Sequence, residues 1–213
     1  MTVAYEKFLP ELSPFVRDCP QQVQINALRN AAIEFCKDSQ YWVYEVPAFD
    51  GVTGVQDYTL TLPAETILST VFEGWYDTRP LQPMSEEQLR KLFIVDWRTL
   101  TGAPRYVTSL MPNVVRLAPM PQETLAGACS LIVALQPSRA STGVSDDIFE
   151  RFAEVVALGA RARLYTTQNE PYSDMAAGMT CRSMFASAIA RVRRDRHRGL
   201  VRSTLRVRPP RWV

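Results

Sequence analysis

A long helix is predicted from the stretch Ser145–Tyr165, which reads SDDIFERFAEVVALGARARLY. Its acidic start, Asp146 and Asp147, favours a helix N-terminus because the unpaired amide groups there carry partial positive charge. Apolar residues then recur every three or four positions, which is the spacing of one helix face: Ile148, Phe149, Phe152, Val155, Val156, Ala160, Leu164 and Tyr165. Gly159, among several alanines, indicates close approach to a neighbouring helix. The stretch therefore predicts a core helix that needs partners.

Two further helices are predicted on either side of it. Downstream, Asn169-Glu170-Pro171 breaks the pattern, and a last helix starts at Ser173-Asp174. Its apolar residues keep core spacing as far as Val192, and Gly199 is its expected stop. Upstream, Asp18-Cys19-Pro20 begins a helix that should run to about Asp38, because proline suits a first turn.

Between the helices the apolar period changes to two, as in β-strands. Strands are expected at residues 41–46, 58–62, 67–76, 105–110, 114–117 and 129–135, with a short extended piece around Leu81. Pro47 and the glycines after it should end the first strand. Ser85 and Gln88 fit a capping box at the start of a short helix. Residues 138–143 are rich in turn formers and are predicted to be a linker.

The order of these segments predicts an α+β fold. Residues 1–39 and 138–199 would form an antiparallel helical bundle, since none of the three helices can bury its apolar face alone. Residues 40–137 would form a small, mostly antiparallel β-domain inserted into that bundle. Residues 200–213 have little core-forming power and contain Pro209 and Pro210, so we expect an extended basic C-terminal arm.

Charge is distributed unevenly along the chain. Residues 182–213 contain ten arginines and one acid, Asp195, a formal charge of +9. The other 181 residues contain 14 basic and 21 acidic residues, a charge of −7. This split is typical of a basic segment with its own partner, which could be nucleic acid, an acidic protein surface or a neighbouring copy.

The sequence lacks the residue patterns of common chemistry. GxxxxGKS/T, GxGxxG, GxSxG and HExxH are all absent, and the single histidine, His197, lies between two arginines. The four cysteines lack the close spacing of a zinc site, and the paired acids stand at helix starts, where the helix dipole explains them. We therefore expect no enzyme, no cofactor and no metal. No apolar run reaches the ~18 residues of a membrane span, and we expect synthesis in a bacterial host cytoplasm.

Four stretches together resemble the head–tail adaptor proteins of tailed phages, most closely the tail tubular protein A type of short-tailed phages. Each stretch is weakly specific alone, but their order and spacing are shared over residues of about 19 to 198. They are Cys19-Pro20 with residues 27–36; residues 102–106; residues 115–121 with 131–138; and residues 157–164 followed by Glu170-Pro171-Tyr172 and an arginine-rich helix.

The resemblance implies a ring, typically of twelve subunits, in the virion neck beneath the portal. It implies a helical ring wall, a β-domain facing the tail, and a C-terminal segment that docks on the portal. The partners would be the portal ring, a tail nozzle or tail tube protein, copies of the chain itself, and DNA in passing contact within the channel, with no membrane.

Two groups of candidate site residues follow. The terminal group combines arginine, tryptophan and prolines, as in an anchor peptide, and would dock on the portal: Leu205, Arg206, Val207, Arg208, Arg211, Trp212 and Val213. The second group forms a basic helix end that would face another subunit or the channel: Arg191, Arg193, Arg194, Arg196 and Arg198. A solvated basic tail is the alternative for the terminal group.

Two other functions stay open from the sequence. A basic-tailed nucleic-acid-binding protein would use the same arginines on phosphates, although no recognition motif accompanies them. Another phage neck or tail part, such as a completion or stopper protein, is the second alternative. Those proteins tend to be shorter and mainly β, and the two long C-terminal helices argue against that reading.

Overall fold

Three long helices and a seven-stranded sheet dominate the computed structural model, which describes residues 2–93 and 96–198. The helices are α1 Leu9–Leu12, α2 Gln21–Ser39, α3 Glu86–Leu92, α4 Asp146–Tyr165 and α5 Met175–Arg198, and a 3-10 turn covers Tyr5–Phe8. The strands are β1 Thr2–Ala4, β2 Val43–Gly51, β3 Asp57–Thr59, β4 Thr66–Tyr76, β5 Arg79–Pro83, β6 Tyr106–Met111, β7 Val114–Ala118, β8 Leu125–Pro137 and β9 Gly143–Ser145. The fold is thus mixed α+β, as predicted.

The helix ends follow the local sequence signals. Helix α2 begins directly after Pro20 and ends at Gln40, whose left-handed backbone (φ 55°) stops the helix. Helix α3 carries the predicted capping box, with Ser85 accepting from the Gln88 amide and the Gln88 side chain bonding back. The Asp174 carboxylate accepts from the Ala177 amide at 2.9 Å and so caps α5. These predicted starts are confirmed to within about two residues.

One hydrophobic core joins α2, α4 and α5 with the N-terminal segment. Its large, fully buried side chains include the following: Tyr5, Phe8, Leu12, Leu28, Phe35, Ile148 and Phe185. The predicted close approach at Gly159 is present, because a side-chain carbon added there would lie 2.7 Å from the Phe185 ring. Helix α4 is kinked at Phe152 (φ −134°), whose ring packs edge-on against Tyr41 at 4.7 Å.

The sheet has the strand order β2-β8-β4-β5-β6-β7-β3. All neighbouring pairs are antiparallel except β5 and β6, which are parallel over Gln82–Pro83 and Tyr106–Val107. The sheet curls, so strands at both of its ends contribute to a second hydrophobic core. Its buried members are Val46, Tyr58, Leu60, Tyr76, Leu81, Val107, Val115, Leu117, Cys129, Leu131, Val133 and Leu135.

The prediction that Pro47 ends the first strand is wrong. Strand β2 continues from Val43 to Gly51 because it is the outermost strand of its sheet and pairs only with β8. The register with β8 shifts between Val46 and Phe49, so Pro47 lies in an irregular stretch where a missing amide hydrogen is tolerated. The next predicted strand is shorter than expected, since β3 ends at Thr59.

The predicted linker at residues 138–143 is tightly held instead. Its far end begins β9, which pairs with the N-terminal strand β1. The buried hydroxyl of Ser141 lies 2.9 Å from the Tyr5 hydroxyl, and the Arg29 guanidinium donates to the Ser141 carbonyl at 2.8 Å. Glu65, from the sheet region, accepts from the Thr142 amide at 2.8 Å. This segment therefore ties the N-terminal segment and α2 to the sheet region.

Candidate assembly surfaces

Helix α5 buries one narrow strip, and most of its surface between Met175 and Ala190 is exposed. The strip contacts α4 and comprises Gly178, Phe185, Ile189 and Val192. Along Met175–Ala190 the exposed residues are mostly small or methionine: Met175, Ala176, Met179, Thr180, Ser183, Met184, Ala186, Ser187 and Ala190. Met179 is 68% exposed. Arg182 is the one charged residue in this part of α5, and an ion pair with α2 holds it.

That ion pair belongs to a three-helix cluster centred on Glu34 of α2. Arg182 of α5 grips the carboxylate with both terminal nitrogens, at 2.7 and 2.9 Å. Arg163 of α4 donates to the same carboxylate at 2.5 Å. The Glu34 side chain is only 17% exposed, so these contacts are partly shielded from water. We call these three residues the Glu34 cluster; it fixes the relative positions of α2, α4 and α5.

The surroundings of Glu34 favour its ionised form. Partial burial acts to raise the pKa of Glu34, but the hydrogen bonds and charges of Arg182 and Arg163 outweigh it, and the pKa lies below the ordinary value. The hydrogen bond to Glu34 correspondingly raises the pKa of Arg182. Both shifts favour the charged forms of Glu34 and Arg182 that make this ion pair.

The predicted basic helix end divides into two kinds of arginine. Arg191, Arg193 and Arg194 are exposed on α5, and Arg191 lies 3.9 Å from Asp195 one turn away. Arg196 is partly buried, and its guanidinium lies 3.5 Å from the ring centroid of Phe72 on β4. The backbone of Arg198 ends α5, while its side chain is outside the described part. The group therefore serves more than one contact.

Arg196 joins the end of α5 to the sheet. Burial lowers the pKa of Arg196, the nearby charge of Arg193 lowers it further, and Glu73 acts in the opposite direction. One guanidinium nitrogen, Nη1, is buried and has no hydrogen-bond partner among residues 2–93 and 96–198. A guanidinium stacked on an aromatic ring is stabilised by the ring quadrupole, more so away from water. Arg196 is thus a fold contact rather than a free surface charge.

An open groove lies beside Phe72 on the sheet. It has a volume of about 820 Å³ and is lined by residues of β4, β5 and β6, where β5 pairs with β4 on one side and with β6 on the other. Its walls are mainly apolar, with three charged residues at hand, Glu73, Arg79 and Arg105; the apolar and aromatic lining comprises Phe72, Trp75, Pro80, Leu81, Pro83 and Tyr106. Sequence reasoning missed this groove, because its lining comes from three strands whose pairing the local pattern does not specify.

The other predicted site group, Leu205, Arg206, Val207, Arg208, Arg211, Trp212 and Val213, lies outside the described residues. Within the described ranges, no three His, Cys, Asp or Glu side chains come together in a way that could hold a metal ion. No helix in the same ranges has the length and apolar character to cross a membrane.

The comparison with known families identifies the class of protein. Residues 8–208 match the family model described as SU10 adaptor protein, which is nearly the whole chain. The chain is therefore a phage adaptor protein, and it belongs to the SU10 adaptor protein family. No curated protein matches the sequence significantly. Membership implies a virion component with head–tail partners and a tendency to oligomerise, so the adaptor prediction is confirmed at the level of the family.

Proposed function

We propose that this chain forms the adaptor ring that joins the portal of the phage head to the tail and continues the DNA channel. The family match over residues 8–208 is the observation that carries the proposal. The order of sequence stretches also resembles the tail tubular protein A type, and we propose the same role for this chain. A ring of twelve subunits is the expected assembly, since that likeness implies it.

We propose a division of labour along the chain. Residues 1–39 and 138–199 build the ring wall as a helical bundle, and residues 40–137 face the tail nozzle or tail tube protein. Separate hydrophobic cores in the helical and sheet regions support this division. Residues 200–213 are the portal-docking arm, supported by their arginine-rich and proline-containing composition.

The exposed arginines of α5 support a second element of the proposal. Arg191, Arg193 and Arg194 offer cations that can meet phosphates without reading base sequence. DNA passing through the channel would contact them transiently, or a neighbouring acidic subunit surface would pair with them. We further propose that the protein is not an enzyme, since the sequence offers no nucleophile-and-base pattern.

The decisive experiment is native mass measurement of the purified chain, alone and mixed with its portal ring. We expect a stoichiometric ring complex with the portal that a variant truncated after Gly199 does not form. The truncated variant should keep the far-ultraviolet circular dichroism of the full chain. If no portal complex forms at any salt concentration and the chain binds DNA with an affinity that falls steeply with salt, the nucleic-acid-binding function is favoured instead.

A further inference from the structure

We infer that the outer faces of α5 and α2 are the two halves of the contact between neighbouring copies of this chain. The inference rests on the proposed ring and names the surfaces that close it. A cyclic ring needs a head-to-tail contact, in which two different patches of one subunit fit each other. The helical part of the described chain offers two such patches with a shared and unusual property.

The first patch is the outer face of α5 between Met175 and Ala190. Sixteen residues of helix span about 24 Å, and along this length no free charge faces outward, because Arg182 is held by Glu34. In a protein with 22% charged residues, an exposed helix face of this length would ordinarily carry several charged side chains. Depletion of charged residues and enrichment of methionine are two features of an interface core.

The second patch is the outer face of α2 between Gln21 and Ile33. Its exposed side chains are uncharged as well: Gln21, Gln22, Val23, Asn26 and Asn30. Arg29 donates to the Ser141 carbonyl through Nε and to Asn26 Oδ1 on this face through Nη1, and Glu34 is held in its cluster, so the two charges bordering this face are engaged within the subunit. Carboxamides can bond to the serine and threonine hydroxyls of α5 in a neighbouring copy without burying an ion.

The pairing also fits by shape and by what lies around it. Alanine and serine on α5 let another helix approach closely, while Met179 and Met184 can adapt to fill gaps. Exposed arginines follow directly on α5 from Arg191, and Lys37 with Asp38 follow on α2. An uncharged centre with charged ends is the usual arrangement of a specific interface.

The test places one positive charge on each face. Ser183→Arg alters α5 and Asn30→Arg alters α2, while Ala126→Arg adds the same charge to an exposed position of the sheet region as a matched control. Native mass is measured for each full chain alone over a concentration series, and with portal rings. We expect Ser183→Arg and Asn30→Arg each to reduce complete rings at least tenfold, and Ala126→Arg to behave as the wild type.

Several results would overturn the inference. One is complete rings at wild-type level in either face variant; another is equal loss in the control. A drop in melting temperature of Ser183→Arg without loss of rings would mean that α5 is covered by its own chain. A wild type that forms rings alone but binds no portal would refute the proposed function and leave this inference intact. A wild type that stays a single chain, both alone and with portal rings, would refute this inference.

A second measurement avoids dependence on charged variants. Asn30→Cys and Ser183→Cys are prepared as separate chains in a Cys181→Ser background and mixed with a short bismaleimide crosslinker under ring-forming conditions. Each chain carries one new thiol, so a crosslink between the two chains reports a contact between copies. We expect mixed crosslinked dimers well above those of either chain alone, and their absence would contradict the pairing of α5 with α2.

Discussion

Helices α4 and α5 are neighbours of similar length, yet they use their small and apolar residues differently. Helix α4 is wrapped on most sides, and its buried residues are Ile148, Val156, Ala157, Gly159, Ala160, Ala162 and Leu164. Helix α5 buries only a strip and leaves alanines and methionines in water. The same residue types therefore build the subunit core on one helix and offer an uncharged surface on the next. Spacing alone does not separate these two uses.

The largest expected effect tests the strip that the two helices share. Phe185 is fully buried against Gly159, so Phe185→Ala should lower the free energy of unfolding by about 3–5 kcal/mol, as large-to-small changes in a core do. Met184 is adjacent on the same helix but 55% exposed, and Met184→Ala should change the free energy of unfolding by less than about 0.5 kcal/mol. Urea unfolding of both variants measures the difference; similar losses would mean that α5 is covered on both sides.

Local pattern made the helices predictable, whereas the strand order could not be read from it. The starts of α2 and α4 carry proline or acidic residues and a clear apolar period, so each is visible within one stretch. The pairing of Thr2 with Ser145 depends on two three-residue strands far apart in the chain. Such pairings are decided by tertiary contacts and loop closure, which a local window does not contain.

The candidate site residues show the same limit. The sequence predicts the basic end of α5 as one group, whereas in the structure Arg196 stacks on Phe72 of the sheet. The sequence does not predict the Glu34 cluster, since Glu34 and Arg182 are 148 positions apart and lie on different helices. Sequence charge counts identify a basic segment, but only the fold tells which of its charges are already engaged.

The second prediction removes the ion pairs that fix α5 on α2 and α4. Glu34→Gln should lower the free energy of unfolding by about 1–2 kcal/mol at pH 7, since charge-assisted hydrogen bonds are lost while Arg182 remains partly exposed. Glu154, exposed on α4, provides the control in Glu154→Gln, which should change stability by less than about 0.5 kcal/mol. Equal effects in the two variants would show that the cluster contributes nothing specific.

The same variant predicts a pH dependence with a definite sign. The pKa of Glu34 is lower in the folded chain than its ordinary value of about 4.3, so the folded state holds the proton less tightly than the unfolded state. Its stabilisation is complete above that ordinary value and is lost as the pH falls through the folded-state pKa. The stability difference between wild type and Glu34→Gln should therefore shrink as the pH is lowered from 7 to below that ordinary value, and a constant difference would contradict this assignment.

A smaller effect is expected at the junction between α5 and the sheet. Arg196→Ala removes the guanidinium over Phe72 and should lower the free energy of unfolding by about 1 kcal/mol, the scale of a partly buried cation–π contact. Arg194 is exposed two residues earlier, and Arg194→Ala should leave stability unchanged within about 0.5 kcal/mol. If both variants lose the same amount of stability, the two arginines act only through the net charge of the helix.

The smallest expected effect on stability separates folding from assembly most sharply. Met179 is 68% exposed on the outer face of α5, so Met179→Ala should leave the free energy of unfolding unchanged within about 0.5 kcal/mol. Leu92 is 48% exposed on α3 and provides the apolar control in Leu92→Ala. In a ring each copy repeats the contact, so we expect Met179→Ala to lower ring yield severalfold at limiting concentration, while Leu92→Ala leaves it unchanged. Equal ring yields in both variants would show that the methionines of α5 are ordinary surface residues. The exposed face of α5 would then have no assembly role that distinguishes it from α4.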